Sequence, residues 1–340
     1  MSKQRKSGFF AGVLVGVLAA TIIFSFVTRY NKSNGSQQKN ITTIKLAHTL
    51  DTKHPVHLGM VYMKKRLEEI SNNQATLEIF PSGVLGSETK CIEMLQNGVL
   101  AMTKTSTSPM EGFVPEMGVF SLPYVFRSRE HFWNVLDSKI GKDLLLKGES
   151  RNLRGICYFD AGSRNFYTTK KPVLTPEDLN KQKIRVMNSK TAIDMIKALG
   201  GSPTPIAWGE LYSALNQGVV DGAENNPPSY YNNGHHKVSK HFSLDGHTRV
   251  PDMLVISSKI WKSYSPELQT WLQQAADEAS QYQRELWAQK SKEALAAAEK
   301  EGAKIYYPDI QPFIDKTKSM IDGLKDTAVG DIYRRIQETK

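Results

Sequence analysis

The stretch from Ile184 to Pro227, IRVMNSKTAIDMIKALGGSPTPIAWGELYSALNQGVVDGAENNP, constrains this chain more than any other. It opens with Arg185 between β-favouring neighbours, which reads as a short strand over Ile184–Val186. Ile193, Ile196 and Leu199 then keep helical spacing, and Gly200 offers the permissive backbone that ends a helix. Pro203 and Pro205 force the next residues extended. Leu211 and Leu215 repeat a helical face, and Gly218 closes it before a strand over Val219–Ala223. The residues left at the element ends are Arg185, Asn188, Trp208, Glu224 and Asn225. A cation, two amides, a carboxylate and an aromatic plate at strand termini suit recognition of a small polar anion and do not form an obvious catalyst.

The same alternation runs through the rest of the chain. Ile44–His48 reads as a strand, followed by a helix from about His57 to Ile70. Ala75–Phe80 then reads as a strand, Glu88–Asn97 as a helix and Leu100–Ser106 as another strand. Such an order predicts an α/β architecture with sheets covered by helices. Ser265 is an N-cap with Pro266 in the first helical position. From there the pattern runs to about Glu301, with Leu268, Leu272, Ala275, Ala279, Tyr282 and Leu286 on one side. Some 36 helical residues extend on the order of 54 Å. That exceeds one small domain, so the helix is expected to brace two lobes. At 340 residues, 40% of them hydrophobic, the chain can bury a core of that size.

The net charge of +10 suits a protein that attracts anions. Nucleic acid is the obvious rival partner. The basic residues are scattered, however, and no zinc-finger, RNP or helix-turn-helix signature appears, so no nucleic-acid partner is expected. The first forty residues read as targeting. Lys3, Arg5 and Lys6 precede an uncharged run, Phe9–Val27, whose nineteen residues approach the roughly 30 Å hydrocarbon thickness of a bilayer. The run has no good cleavage site after it and no following cysteine, so an uncleaved anchor is favoured over a cleaved signal. Asn31–Asn40 reads as a flexible tether. Either form of targeting places the folded part outside the cytoplasmic membrane, in the periplasm or its equivalent.

The motif run resembles the solute-receptor proteins of tripartite ATP-independent periplasmic (TRAP) transporters, the DctP-like family. The resemblance continues through KLAHTLDTKHPVH, IFPSGVLGSE, VFSLPYVF, YFDAGSRNFYT and YYPD, and covers essentially all of residues 44–315. It implies a two-lobed, periplasmic-binding-protein-like fold with crossing strands. After residues 1–40, it places lobe I at about 41–162 plus 250–290, and lobe II at about 163–249 plus 291–330. It also implies that Arg185 holds the ligand carboxylate, which suits a guanidinium because its fork matches a carboxylate bidentately where lysine cannot. Arg164, in AGSRNF, matches the second frequent arginine; the alternative is a structural pair with Asp160. Asn225 and Glu224 match an amide and an acidic position, Trp208 an aromatic wall and His48 a polar position on the first strand. Glu88 falls where relatives place an acceptor for hydroxyls, and Asn188 and Asp252 complete the candidate set. Carboxylates and amides facing a ligand suit hydroxyl groups, which donate as well as accept. A hexuronate or aldonate is therefore favoured over succinate or malate.

Cys91 falls in a helical pattern and Cys157 in an apolar strand. Pairing and separate burial both remain open, and no redox or metal spacing is present. His235, His236, His241 and His247 fit no common closed zinc site and read as a polar surface region. His54 and His57, in the HPVH turn, are assigned to capping and packing ahead of ligand contact. Neither a nucleophile elbow, a phosphate loop nor a zinc-protease helix occurs, so no catalytic residues and no cofactor are expected. Three readings follow: a receptor that delivers an organic acid to integral-membrane TRAP transporter subunits, a signalling receptor of the same fold, and, last, an enzyme acting on sugar acids. A C4-dicarboxylate or other organic acid is the alternative ligand for the first.

Overall fold

A computed structural model describes residues 41–340. The apolar run and the tether read from the sequence lie outside the described residues. Among those described, no helix is long and apolar enough to cross a membrane.

Two mixed sheets organise the described residues. The first has the order β2-β1-β3-β10-β4, from β1 (Thr42–Ala47), β2 (Ala75–Phe80), β3 (Met102–Ser106), β4 (Leu153–Phe159) and β10 (Asp252–Ser257). The second has the order β11-β9-β5-β8-β6-β7. Its strands are β5 (Arg164–Thr168), β6 (Lys183–Val186), β7 (Ser202–Pro205), β8 (Gly222–Asn225), β9 (His241–Thr248) and β11 (Lys304–Tyr306). The chain leaves the first sheet between β4 and β5 and returns between β9 and β10, so two short connections join the lobes. Alternation along the strands feeds a separate core on each side of each sheet. In β10, Met253 and Val255 enter one cluster while Leu254 and Ile256 enter another. In β5, Phe166 and Tyr167 divide in the same way.

Local chemistry sets most element ends where the sequence predicts them. The helix Lys190–Ala198 ends on Leu199, and Gly200 follows with φ of 92°, a left-handed conformation that costs glycine nothing. β7 runs through both prolines and pairs in parallel with β6. The predicted strand over Val219–Ala223 is displaced to Gly222–Asn225. The Val219 and Val220 amides instead bond the Ala214 carbonyl, closing the C-terminus of the helix Leu211–Asn216, so they are spent on a cap and not on a ladder.

The long helix spans Pro266–Lys300, with the Ser265 side chain accepting from Leu268 N. Its first half packs on the first sheet's core through Leu272 and Ala275, and its end packs on the second sheet's core through Ala298. The buried face differs from the expected one: Tyr282 is exposed and Leu286 only half-buried, while Gln283 and Trp287 are buried. Tyr282 stacks instead on Tyr62 from the helix Pro55–Ile70, with ring centroids 4.2 Å apart. Gln283 turns inward because the first connection needs it. Its Nε2 donates to the Asp160 carbonyl at 2.8 Å, and its Oε1 accepts from the Asp160 amide at 2.7 Å. The Asp160 carboxylate takes Arg129 Nε at 3.0 Å and the Gly162 amide at 2.8 Å.

The two cysteines are free and lie in different core clusters. Replacing Gln283 with alanine strands both polar groups of the Asp160 peptide backbone, each at a cost of about 1–3 kcal/mol. Gln283→Ala is therefore expected to destabilise the chain by about 2–4 kcal/mol in chemical denaturation. A loss below about 0.5 kcal/mol contradicts this role for Gln283.

Candidate functional site

A cavity of about 400 Å³ lies between the two sheets, within the range of small-molecule sites. One wall comes from the first sheet and its loops, with Glu88, Lys104, Ser106, Asp252 and His54. The other comes from the second, with Arg164, Arg185, Asn188, Trp208, Asn225 and Ser229.

Arg185 is placed by strand alternation. Ile184 and Val186 enter the core under the helix Lys190–Ala198, which turns Arg185 to the other face of β6. Its Nε donates to the Ile206 carbonyl at 2.9 Å, and its guanidinium lies 5.8 Å from the centre of the Trp208 ring. Nη1 is buried and, among the described residues, has no hydrogen-bond partner. The side chain is 2% exposed, and burial presses its pKa below the ordinary arginine value. An arginine held this way, with no carboxylate on it, is a desolvated cation lacking a counter-ion.

Arg164 is its opposite. A bulge in the β5–β9 ladder between Arg164 and Phe166 re-aims the side chain. It pairs with Glu224 and not with Asp160, which corrects the alternative raised from the sequence. Nε bonds the Glu224 carboxylate, Nη2 reaches Oε1 at 2.9 Å and the Glu224 carbonyl at 2.7 Å, and Nη1 reaches Asn225 Oδ1 at 3.1 Å. Burial would raise the Glu224 pKa, but Arg164 and then His247 hold it down to about 2. Glu224 therefore sits behind Arg164 and does not line the cavity. His247 Nδ1 lies 2.6 Å from Asp245 and its Nε2 lies 3.5 Å from Glu224. Burial disfavours the imidazolium, yet Asp245 and Glu224 outweigh it and push the His247 pKa up to about 9.

The facing wall centres on Lys104, buried in β3. Its Nζ is 2.8 Å from Glu88 and 3.3 Å from Asp252. Burial alone would favour loss of its proton; Asp252 and Glu88 reverse that and raise its pKa. Ser106 ties the same acids together, its hydroxyl donating to Asp252 at 2.6 Å and its amide to Glu88 at 3.2 Å. The antiparallel register of β3 and β10 sets Asp252 opposite Ser106. Ser87 caps the helix Glu88–Gln96 and puts Glu88 in its first turn.

Of the nine residues proposed from the sequence, seven line this cavity: Arg185, Arg164, Asn225, Glu88, Trp208, Asn188 and Asp252. His48 and Glu224 do not. His48 Nδ1 accepts from the Leu50 amide, so Nε2 carries the proton and donates to His57 Nδ1 at 2.9 Å. Burial, then Lys104 and His57, lower the His48 pKa to about 3, so it is a neutral support for the loop before the helix Pro55–Ile70. His54 caps that helix and also reaches the cavity, with Nε2 3.2 Å from Ser229 Oγ. Lys104 and Ser106 were not foreseen; the signal was a polar run, MTKTS, in a strand with no exposed face. The remaining histidines correct the surface reading. His235, His236 and His247 are buried, the first against Tyr167 Oη at 2.8 Å and the second against Glu301 at 2.9 Å.

The model of bacterial extracellular solute-binding protein family 7 matches residues 46–326. The YiiZ protein of Salmonella typhimurium is 35% identical over 302 residues, covering 88% of this chain and 92% of the relative. A TRAP periplasmic solute-binding protein of Bradyrhizobium, solved with galacturonate, has a TM-score of 0.85 at 36% identity and covers 87% of this chain and 100% of its own. Its counterpart from Pseudomonas putida F1, solved with D-glucuronate, has a TM-score of 0.83 at 36% identity, covering 87% of this chain and 96% of its own.

The His247 arrangement predicts a pH signature. A raised folded-state pKa contributes stability that is complete below the ordinary value of 6.5 and is lost as pH rises through about 9. The stability gap between the native chain and His247→Gln should be widest at the acidic side of this window and shrink across it. Denaturation profiles that keep a constant gap through the window contradict a charged His247.

Proposed function

The chain belongs to family 7 of the bacterial extracellular solute-binding proteins, the receptors of TRAP-type transport, and we propose that it captures a hexuronate or related aldonate. It is a solute receptor and not an enzyme. The observation that carries the ligand class is Arg185, a buried guanidinium whose Nη1 has no partner among the described residues, in a cavity where Arg164 and Lys104 both have carboxylates. A ligand carboxylate supplies the missing counter-ion. The acids Glu88 and Asp252 supply acceptors for sugar hydroxyls, and the Asn225 amide, whose oxygen already accepts from Arg164 and the Asn226 amide, supplies an N–H donor. The galacturonate and glucuronate held by the Bradyrhizobium and Pseudomonas putida relatives support the same class.

Capture works by closure in this proposal. Lobe I is about 41–162 plus 250–290 and lobe II about 163–249 plus 291–330, an assignment supported by the membership of the two sheets. Contacts from both lobes act together on the ligand only when the cleft is shut, so binding favours the closed form, as hinge closure does in periplasmic binding proteins. The two connections and the long helix are where such motion would be absorbed. The closed receptor then delivers its cargo to integral-membrane transporter subunits. An uncleaved Phe9–Val27 anchor with its tether would hold it near them and raise its effective concentration.

Charge-assisted hydrogen bonds contribute about 1.5–3 kcal/mol each, and a carboxylate left unpaired in the cavity costs more. Arg185→Ala is therefore expected to weaken D-galacturonate or D-glucuronate binding by a factor on the order of hundreds in calorimetric titration. Arg185→Lys, with a point charge in place of the fork, should not restore it. Near-native affinity in Arg185→Ala removes this assignment.

A further inference from the structure

The two walls of the cavity carry opposite electrostatic demands. On the second sheet's side Arg185 lacks a counter-ion, while Arg164 already has Glu224. On the first sheet's side one ammonium, Lys104, is outnumbered by two carboxylates, Glu88 and Asp252, leaving that wall formally one negative charge in excess. The bonds within the cluster are also lopsided. Lys104 and the Ser106 amide both use Glu88 Oε1, and Lys104 and the Ser106 hydroxyl both use Asp252 Oδ1. Glu88 Oε2 and Asp252 Oδ2 carry none of these bonds and belong to side chains that line the cavity. They offer lone pairs, so they call for donors. A ligand hydroxyl is a donor; a ligand carboxylate brings only acceptors and a like charge.

We infer that the Lys104–Glu88–Asp252 cluster is the specificity element of the site, admitting sugar acids with one carboxylate and rejecting diacids of the same carbon chain. The inference rests on the sugar-acid reading above and adds which end of the molecule faces which wall. The carboxylate meets Arg185, and the far end, an alcohol or a hemiacetal, donates to Glu88 and Asp252. In a diacid the second carboxylate is driven onto two acids in a site of low dielectric, where repulsion is poorly screened. Lys104 cannot relieve this, because its charge is already committed to both acids. Its part is to hold the two carboxylates side by side, with an oxygen of each left to accept a hydroxyl.

Calorimetric titration of the full-length chain with two matched pairs tests this: D-galacturonate against galactarate, and D-gluconate against D-glucarate. Within a pair the diacid should bind more weakly by a factor on the order of a hundred or more. Glu88→Gln and Asp252→Asn each remove the excess negative charge and should narrow the gap by about tenfold or more, whatever they do to affinity itself. The ratio is the readout, so general damage to the fold does not imitate it. A native chain that binds the diacids as tightly as the monoacids overturns the inference, and so does a gap that neither variant narrows. Failure of every sugar acid to bind is a different result. It removes the sugar-acid reading first and this inference with it.

Discussion

One unanswered positive charge organises the site. A guanidinium taken out of water without a partner is costly, and most buried charges escape that cost through an ion pair. Arg164, Lys104 and His247 all do so here, with Glu224, with Glu88 and Asp252, and with Asp245 and Glu224. Among the described residues, Arg185 has only the Ile206 carbonyl and the face of Trp208. Its cost is borne by the fold, which pins its strand between β7 and β8. The stabilisation withheld from the free protein is available to an anion that enters.

That arrangement depends on layers behind the cavity as well as on the residues that line it. Glu224 fixes Arg164 from behind, His247 and Asp245 fix Glu224, and Asp245 Oδ1 takes the Phe166 amide beside the bulge that aims Arg164. Across the cleft, Ser106 and the β3–β10 register hold Glu88 and Asp252 around Lys104. Gln283 clamps the Asp160 peptide where the chain passes from one sheet to the other. The long helix that carries Gln283 reaches both cores, so positioning the walls and joining them are tasks of one set of elements.

Much of this was legible in the amino-acid order. Proline, glycine and helical spacing marked nearly every element between Ile184 and Pro227, because those signals are local. Arg185 stood out because a charge flanked by β-branched residues has few places to go. What stayed hidden was pairing across distance. Nothing near Lys104 in the sequence announces Glu88 or Asp252, and nothing near Arg164 says that Glu224, rather than the nearby Asp160, is its partner. Gln283 in the buried face of a helix was not foreseen for the same reason: its partner is a backbone group far along the chain. The histidines from His235 to His247 looked solvated by composition, yet tertiary packing buries three of them. The strand after Gly218 began late because two amides were needed by the preceding helix.

The account turns on Arg185 as the receptor of a ligand carboxylate. A crystal structure of the chain with D-galacturonate addresses that without recourse to variants. The account predicts both carboxylate oxygens on the Arg185 guanidinium, with Nη1 partnered and the sugar hydroxyls toward Glu88 and Asp252. A carboxylate seated on the Lys104 wall, or a sugar bound with Arg185 Nη1 still unpartnered, would contradict it.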